Sequence, residues 1–197
     1  MKIEELKQKG NVTVTEMKNG CVKVSADKGF ILKGGDTYTS EIYCAKDAEL
    51  QDYEVVAYSD YLRAENKKKY EGKTLEEAKE ILLAEIDAYD KSSAVNGFVL
   101  NGAVVWLDKA TRVGLMNSTT IAKAMGQATT TLWLGDTKLE VGCDMAIQLL
   151  SALEMYALEC FNVTAAHKKA VAELTDIGEV LSYDYTKGYP AQLRMEV

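Results

Sequence analysis

The chain is 197 residues long, with 30 acidic side chains against 23 basic ones, a net charge of −7 and a single proline, Pro190. Hydrophobic residues make up 47% of it, which supplies a real core and excludes a disordered or low-complexity chain. The acid excess also excludes a phosphate-tracking surface, which needs clustered Lys and Arg, so no nucleic-acid partner is expected. The one basic run, Lys67-Lys68-Lys69, stands between Glu65 and Glu71 and reads as a solvated helix face. No apolar run follows Met1, and no stretch approaches the roughly 20 apolar residues of a membrane span. A soluble chain with no membrane partner is therefore expected.

Residues 1–58 read as strands. Val12 and Val14 alternate with Thr13 and Thr15, and Val22 and Val24 alternate with Lys23 and Ser25, about an Asn19-Gly20 turn. That dipeptide tolerates the positive φ values of a type I′ hairpin. Phe30-Ile31-Leu32, a Gly34-Gly35 turn and the run Tyr38 to Ala45 predict a second hairpin, and Glu54 to Ala57 a further short strand. No helix is evident to cover this antiparallel unit, so it is expected to dock on something else.

Ser59 is placed as the N-cap of a charged helix reaching about Tyr70, with Gly72 ending it, and residues 59–73 are taken as a connector. Thr74-Leu75-Glu76-Glu77 has the form of a capping box before a helix whose stripe is Leu75, Ala78, Leu82, Ile86 and Tyr89. Phe98 to Leu107 form a hairpin about Asn101-Gly102. Asp108 caps a helix reaching about Met125, and Thr129 to Val141 form another hairpin about Gly135-Asp136. The longest helix runs from about Cys143 to Leu174, and its arc from Met145 to Phe161 includes Leu149, Leu150, Leu153, Tyr156 and Cys160, while Ile147, Met155 and Leu158 intrude on its polar side. Two readings of it stay open, a central core helix or one that partly lines an oligomer or partner interface. A short capped helix, Asp176 to Leu181, and an ordered aromatic strap complete the chain. The fold expected is α+β: an N-terminal antiparallel β unit (1–58), the connector (59–73), and hairpins packed on two to three helices, one of them long (74–197).

Chemistry-bearing patterns are few. His167 is the single histidine, with no second one to share a metal, and reads as a satisfied or exposed helix residue. Cys21, Cys44, Cys143 and Cys160 form no C-x-x-C pair and are expected as buried free thiols. No glycine-rich stretch runs from a strand into a helix. Asp47, Glu49 and Asp52 form a weak loop cluster for a cation. No catalytic, cofactor-binding or metal residue is predicted. Tyrosine is abundant, eleven against three Phe and two Trp, and half-wet rings suit interfaces. The interface candidates are Tyr53, Tyr58, Tyr61, Leu149, Leu153, Tyr156, Tyr183, Tyr185 and Tyr189.

Several phrases follow one another in a set order. Ile86-Asp87-Ala88-Tyr89-Asp90 ends a helix, Phe98-Val99-Leu100-Asn101-Gly102 forms a hairpin, and Asp108 leads a helix holding Arg112. Leu132-Trp133-Leu134, a long helix with the late His167, and Tyr183-Asp184-Tyr185-Thr186 with Gly188-Tyr189-Pro190 come next. In this order they resemble a domain of unassigned function, here spanning about 74–190, that recurs in bacteriophages and prophages and is often appended to tail-fibre-assembly-like proteins. The resemblance brings no catalytic residues and implies phage tail or virion morphogenesis. On it the chain is expected to be a non-enzymatic structural or accessory particle component, with a tail-fibre assembly chaperone as the alternative. The partners implied are other tail or fibre proteins and further copies of the chain. The place implied is the bacterial host cytoplasm during assembly, and the virion if the role is structural.

Overall fold

The computed structural model describes residues 2–18, 20–50 and 53–197. In chain order the elements are α1 (Ile3–Gln8), β1 (Val12–Glu16), β2 (Cys21–Ala26), β3 (Phe30–Gly34), β4 (Thr37–Thr39), β5 (Glu41–Ala45), β6 (Tyr53–Ala57), α2 (Tyr58–Lys67) and α3 (Leu75–Asp90). There follow α4 (Ser93–Asn96), β7 (Phe98–Leu100), β8 (Ala103–Val105), α5 (Lys109–Ala124), β9 (Thr129–Leu134), β10 (Thr137–Gly142), α6 (Cys143–Glu173), α7 (Ile177–Ser182) and β11 (Arg194–Met195). The fold is α+β. Met1–Leu75 and Thr175–Asp184 make one unit, and Glu76–Leu174 and Tyr185–Val197 make the other. The charged segment 59–73 falls within the first unit, and α7 joins that unit through contacts with α2, where Asn66 Nδ2 donates to Leu181 O at 2.9 Å.

In the first unit the alternating run Val12–Glu16 pairs with Cys21–Ala26 in the register Val14↔Val24, as the pattern predicts; Asn19 of the expected turn lies outside the described residues. Val22 and Val24 turn inward and are fully covered. Two expectations fail here. The run Tyr38 to Ala45 is not one strand: it breaks at Ser40, β4 pairs with β3, and β5 crosses to the other side of β2. The outcome is two sheets, β1-β2-β5 and β4-β3-β6. Ile31 and Leu32 are both buried, so β3 is covered on both faces and holds the centre of its sheet, with β6 taking its second edge.

The unit also has a helix of its own. In α1 the Glu5 carboxylate accepts the Lys2 backbone N–H at 3.0 Å, and Ile3 and Leu6 pack with Val22, Val24, Leu32 and Leu50. Six residues are too few for a helical period to show in the sequence. Helix α2 differs as well, starting after Ala57 with no side-chain cap bond and ending at Lys67.

In the second unit the hairpin turn Asn101-Gly102 has φ of 48° and 84°, both in the left-handed region that a type I′ turn demands. Strand β7 has all three residues buried because it is flanked by β8 on one side and by the parallel β11 on the other. Val99 donates its N–H to Leu193 O at 2.8 Å and Asn101 to Met195 O at 3.0 Å, so the tail closes the sheet. Asp108 caps α5 by accepting the Thr111 N–H at 2.8 Å. The core joins Phe98, Leu100, Val105 and Leu107 to Leu132 and Leu134 of β9 and to Ala146, Leu149, Leu150 and Leu153 of α6. Helix α5 lies against α6, pinned at one end by the Arg112–Glu154 pair and at the other by Lys123–Asp144.

Replacing Leu6 by Ala removes a fully buried side chain from the first unit's core. Chemical denaturation should show a loss of about 2–5 kcal/mol; an unchanged stability would show that α1 covers nothing.

Candidate protein-contact cleft

Helix α6 carries more apolar surface than its neighbours cover. Leu149, Leu153 and Tyr156 face inward, but Met155, Leu158 and Phe161 are 58%, 49% and 61% exposed. Phe161 and Met145, at the two ends of the apolar arc, are both exposed, because the hairpins, α4 and α5 cover a narrower arc than the apolar residues span. Beside this row lies Trp106, 40% exposed, at the end of the β7–β8 hairpin. Trp106, Leu158 and Phe161 line a cleft of about 540 Å³ whose other walls are the turn at Asp90 and Lys91 and the start of α5.

At the floor of the cleft sits Arg112, 9% exposed. It is fixed from two sides, Nε donating to Glu154 Oε1 at 2.9 Å and Nη1 to Leu107 O at 2.7 Å. The three carboxylates around the cleft are all engaged within the chain. Glu154 holds Arg112, Asp108 caps α5, and Asp90 accepts the Thr164 hydroxyl at 2.7 Å. Bonds from the Thr111 N–H and hydroxyl hold the Asp108 carboxyl below its ordinary range. By contrast, Lys91 and Lys109 are exposed and have no ion-pair partner among the described residues.

The predicted interface candidates distribute differently. Leu149, Leu153 and Tyr156 are buried inside the second unit, with Tyr156 donating its hydroxyl to Val95 O at 2.7 Å. Tyr58 and Tyr61 pack as a ring cluster with Tyr38, centroids 5.4 and 4.7 Å apart. Tyr53 lies over Gly34, where an added Cβ would come within 2.6 Å of its ring. Tyr183 belongs to the first unit, whereas Tyr185 and Tyr189 belong to the second, both edge-on to Tyr89 at 5.5 Å. All six of these strand and tail tyrosines are half-buried. Sequence reasoning missed Trp106 and Arg112 as cleft residues. It did register Met155 and Leu158 as apolar intrusions on the polar side of α6, which was the usable signal.

His167 donates its Nε2 hydrogen to Lys187 O at 2.8 Å and lies 5.8 Å from the Tyr189 ring, so it straps the tail to α6. Cys143 and Cys160 are buried; Cys21 and Cys44, expected buried, are only half-buried. Burial pushes the Cys160 thiol up, which keeps it protonated at neutral pH. Asp52 of the weak acidic cluster lies outside the described residues.

The cleft residues all fall within a recognisable domain. Residues 77–187, more than half of the chain, match the domain of unknown function DUF4376. The chain belongs to that family. No curated protein and no solved structure matches it. The DUF4376 span includes all but the first two residues of α3, both hairpins and α6, so the whole cleft is a feature of the family domain of this chain. Among the described residues no helix is long and apolar enough to cross a membrane.

Burial, with Cys160 adding a smaller part, pushes the Tyr156 phenol up to about 12. The unfolded phenol titrates near ~10, so the folded chain keeps a proton there that the unfolded chain releases. Its contribution is intact below about pH 10 and lost as the pH rises to about 12. Tyr156→Phe should cost about 1 kcal/mol at neutral pH, through the lost bond to Val95 O. Denaturant titrations at stepped pH should show the gap to wild type closing between about pH 10 and 12; a constant gap would contradict a buried, proton-retaining phenol.

Proposed function

We propose that this DUF4376 chain is a non-enzymatic structural or accessory component of a phage or prophage-derived particle, tail-associated, and that it works through protein–protein contacts. The observation that carries the contact role is the apolar patch of Trp106, Met155, Leu158 and Phe161 on the family domain. Clustered exposed apolar groups beside a cleft mark interaction surfaces, whereas scattered ones do not. Aromatic and Met residues with an adjoining Arg have the composition of an interface centre ringed by charge. The phage setting is supported by the resemblance of residues 74–190 to domains carried by phages and prophages. Partners in this reading are other tail or fibre proteins and further copies of the chain. The chain would then occur in the host cytoplasm during assembly and in the finished particle.

Quantitative mass spectrometry on purified particles from an induced host tests the reading. The expected result is a fixed, symmetry-related number of copies per particle. Clear absence, with the chain abundant in the lysate, would overturn the particle role and favour a tail-fibre assembly chaperone.

A further inference from the structure

We infer that the Trp106–Phe161 cleft receives a segment of a partner protein in which a bulky apolar side chain stands next to a carboxylate. This rests on the reading that the chain acts through protein contacts, and it names what those contacts recognise. The apolar half of the argument is shape and surface. Trp106, Leu158 and Phe161 line about 540 Å³, space enough to enclose one large side chain with its flanks.

The charged half is the unequal use of the ions. Asp108, Asp90 and Glu154 each already accept hydrogen bonds from within the chain. Among the cations, Lys91 and Lys109 have no ion-pair partner among the described residues. Arg112 is nine-tenths buried and lines the cleft, yet only its Nε and Nη1 make bonds, leaving Nη2 without one among the described residues. An occupant that brings a carboxylate supplies the acceptor these donors lack, and a neutral amide supplies a weaker one. A second copy of the chain would have to present such a pairing itself.

The test uses the full chain with Trp133→Phe, so that Trp106 alone reports. Trp133 is 58% exposed on β9, so its replacement by Phe removes little buried surface, and circular dichroism matching the wild type is expected. Short synthetic peptides placing Trp, Phe or Leu beside Asp or Glu are titrated against matched peptides carrying Asn or Gln. The acidic set should bind saturably and shift the Trp106 emission, with the amide set weaker by roughly tenfold. Joint replacement of Lys91 and Lys109 by Glu should weaken the acidic set by roughly tenfold while the circular dichroism stays unchanged. Phe161→Ala, at an exposed site, should weaken both sets alike. Absence of binding in every peptide, equal binding of acid and amide, or indifference to the Lys replacements would overturn the inference. Self-association abolished by Phe161→Glu would also overturn it, by making a second copy the occupant. If the chain is counted in particles while no peptide binds, this inference falls and the particle reading stands; peptide binding by a chain absent from particles gives the reverse.

Discussion

The second unit depends on how α6 disposes of its apolar surface. A helix with apolar residues around half its circumference has to be covered from more than one direction, or leave part of that surface to a partner. Leu149, Leu150 and Leu153 supply the shared surface on which both hairpins of the unit converge. Tyr156 then fixes the register of the α4 turn, because its hydroxyl and the Cys160 thiol both end on Val95 O. The tail is held by the same helix, through His167 to Lys187 O and Thr164 to the Tyr189 hydroxyl.

The exposed side of the helix forms one wall of the cleft. A guanidinium nine-tenths buried is costly unless its donors are met, and Arg112 meets two of them from Glu154 and Leu107 O. That anchoring locks the start of α5 against α6 and places charge directly beside Trp106, Leu158 and Phe161. A fixed buried cation, exposed lysines with no ion-pair partner among the described residues and uncovered aromatic groups are what support the docking proposal.

Much of this was legible in the residues. Hairpins announced by alternation and Asn-Gly, helices announced by Asp108 and Asp176, and the length of α6 all follow from local physics that needs no tertiary context. What was not legible depends on distant partners. The six-residue α1 shows no period, the two-residue β11 is a strand only because β7 offers an edge, and β5 parts from β4 to pair with the edge of β2. The cleft was half legible. Met155 and Leu158 stood out of pattern, but the exposure of Phe161 follows from how narrow an arc the neighbours cover, and the burial of Arg112 follows from Glu154, 42 residues away. The tyrosine excess pointed elsewhere, to rings that pack mainly on one another.

Residue-resolved hydroxyl-radical footprinting of the isolated chain, at dilutions where it is a single copy, tests this two-sided helix most directly. The account predicts strong labelling of Met155, Leu158, Phe161 and Trp106 alongside protection of Leu149, Leu153 and Tyr156. Protection of Phe161 and Leu158 equal to that of Leu153 would mean the chain already covers this face itself, and would contradict the claim that α6 buries one side in its own core and leaves the other uncovered.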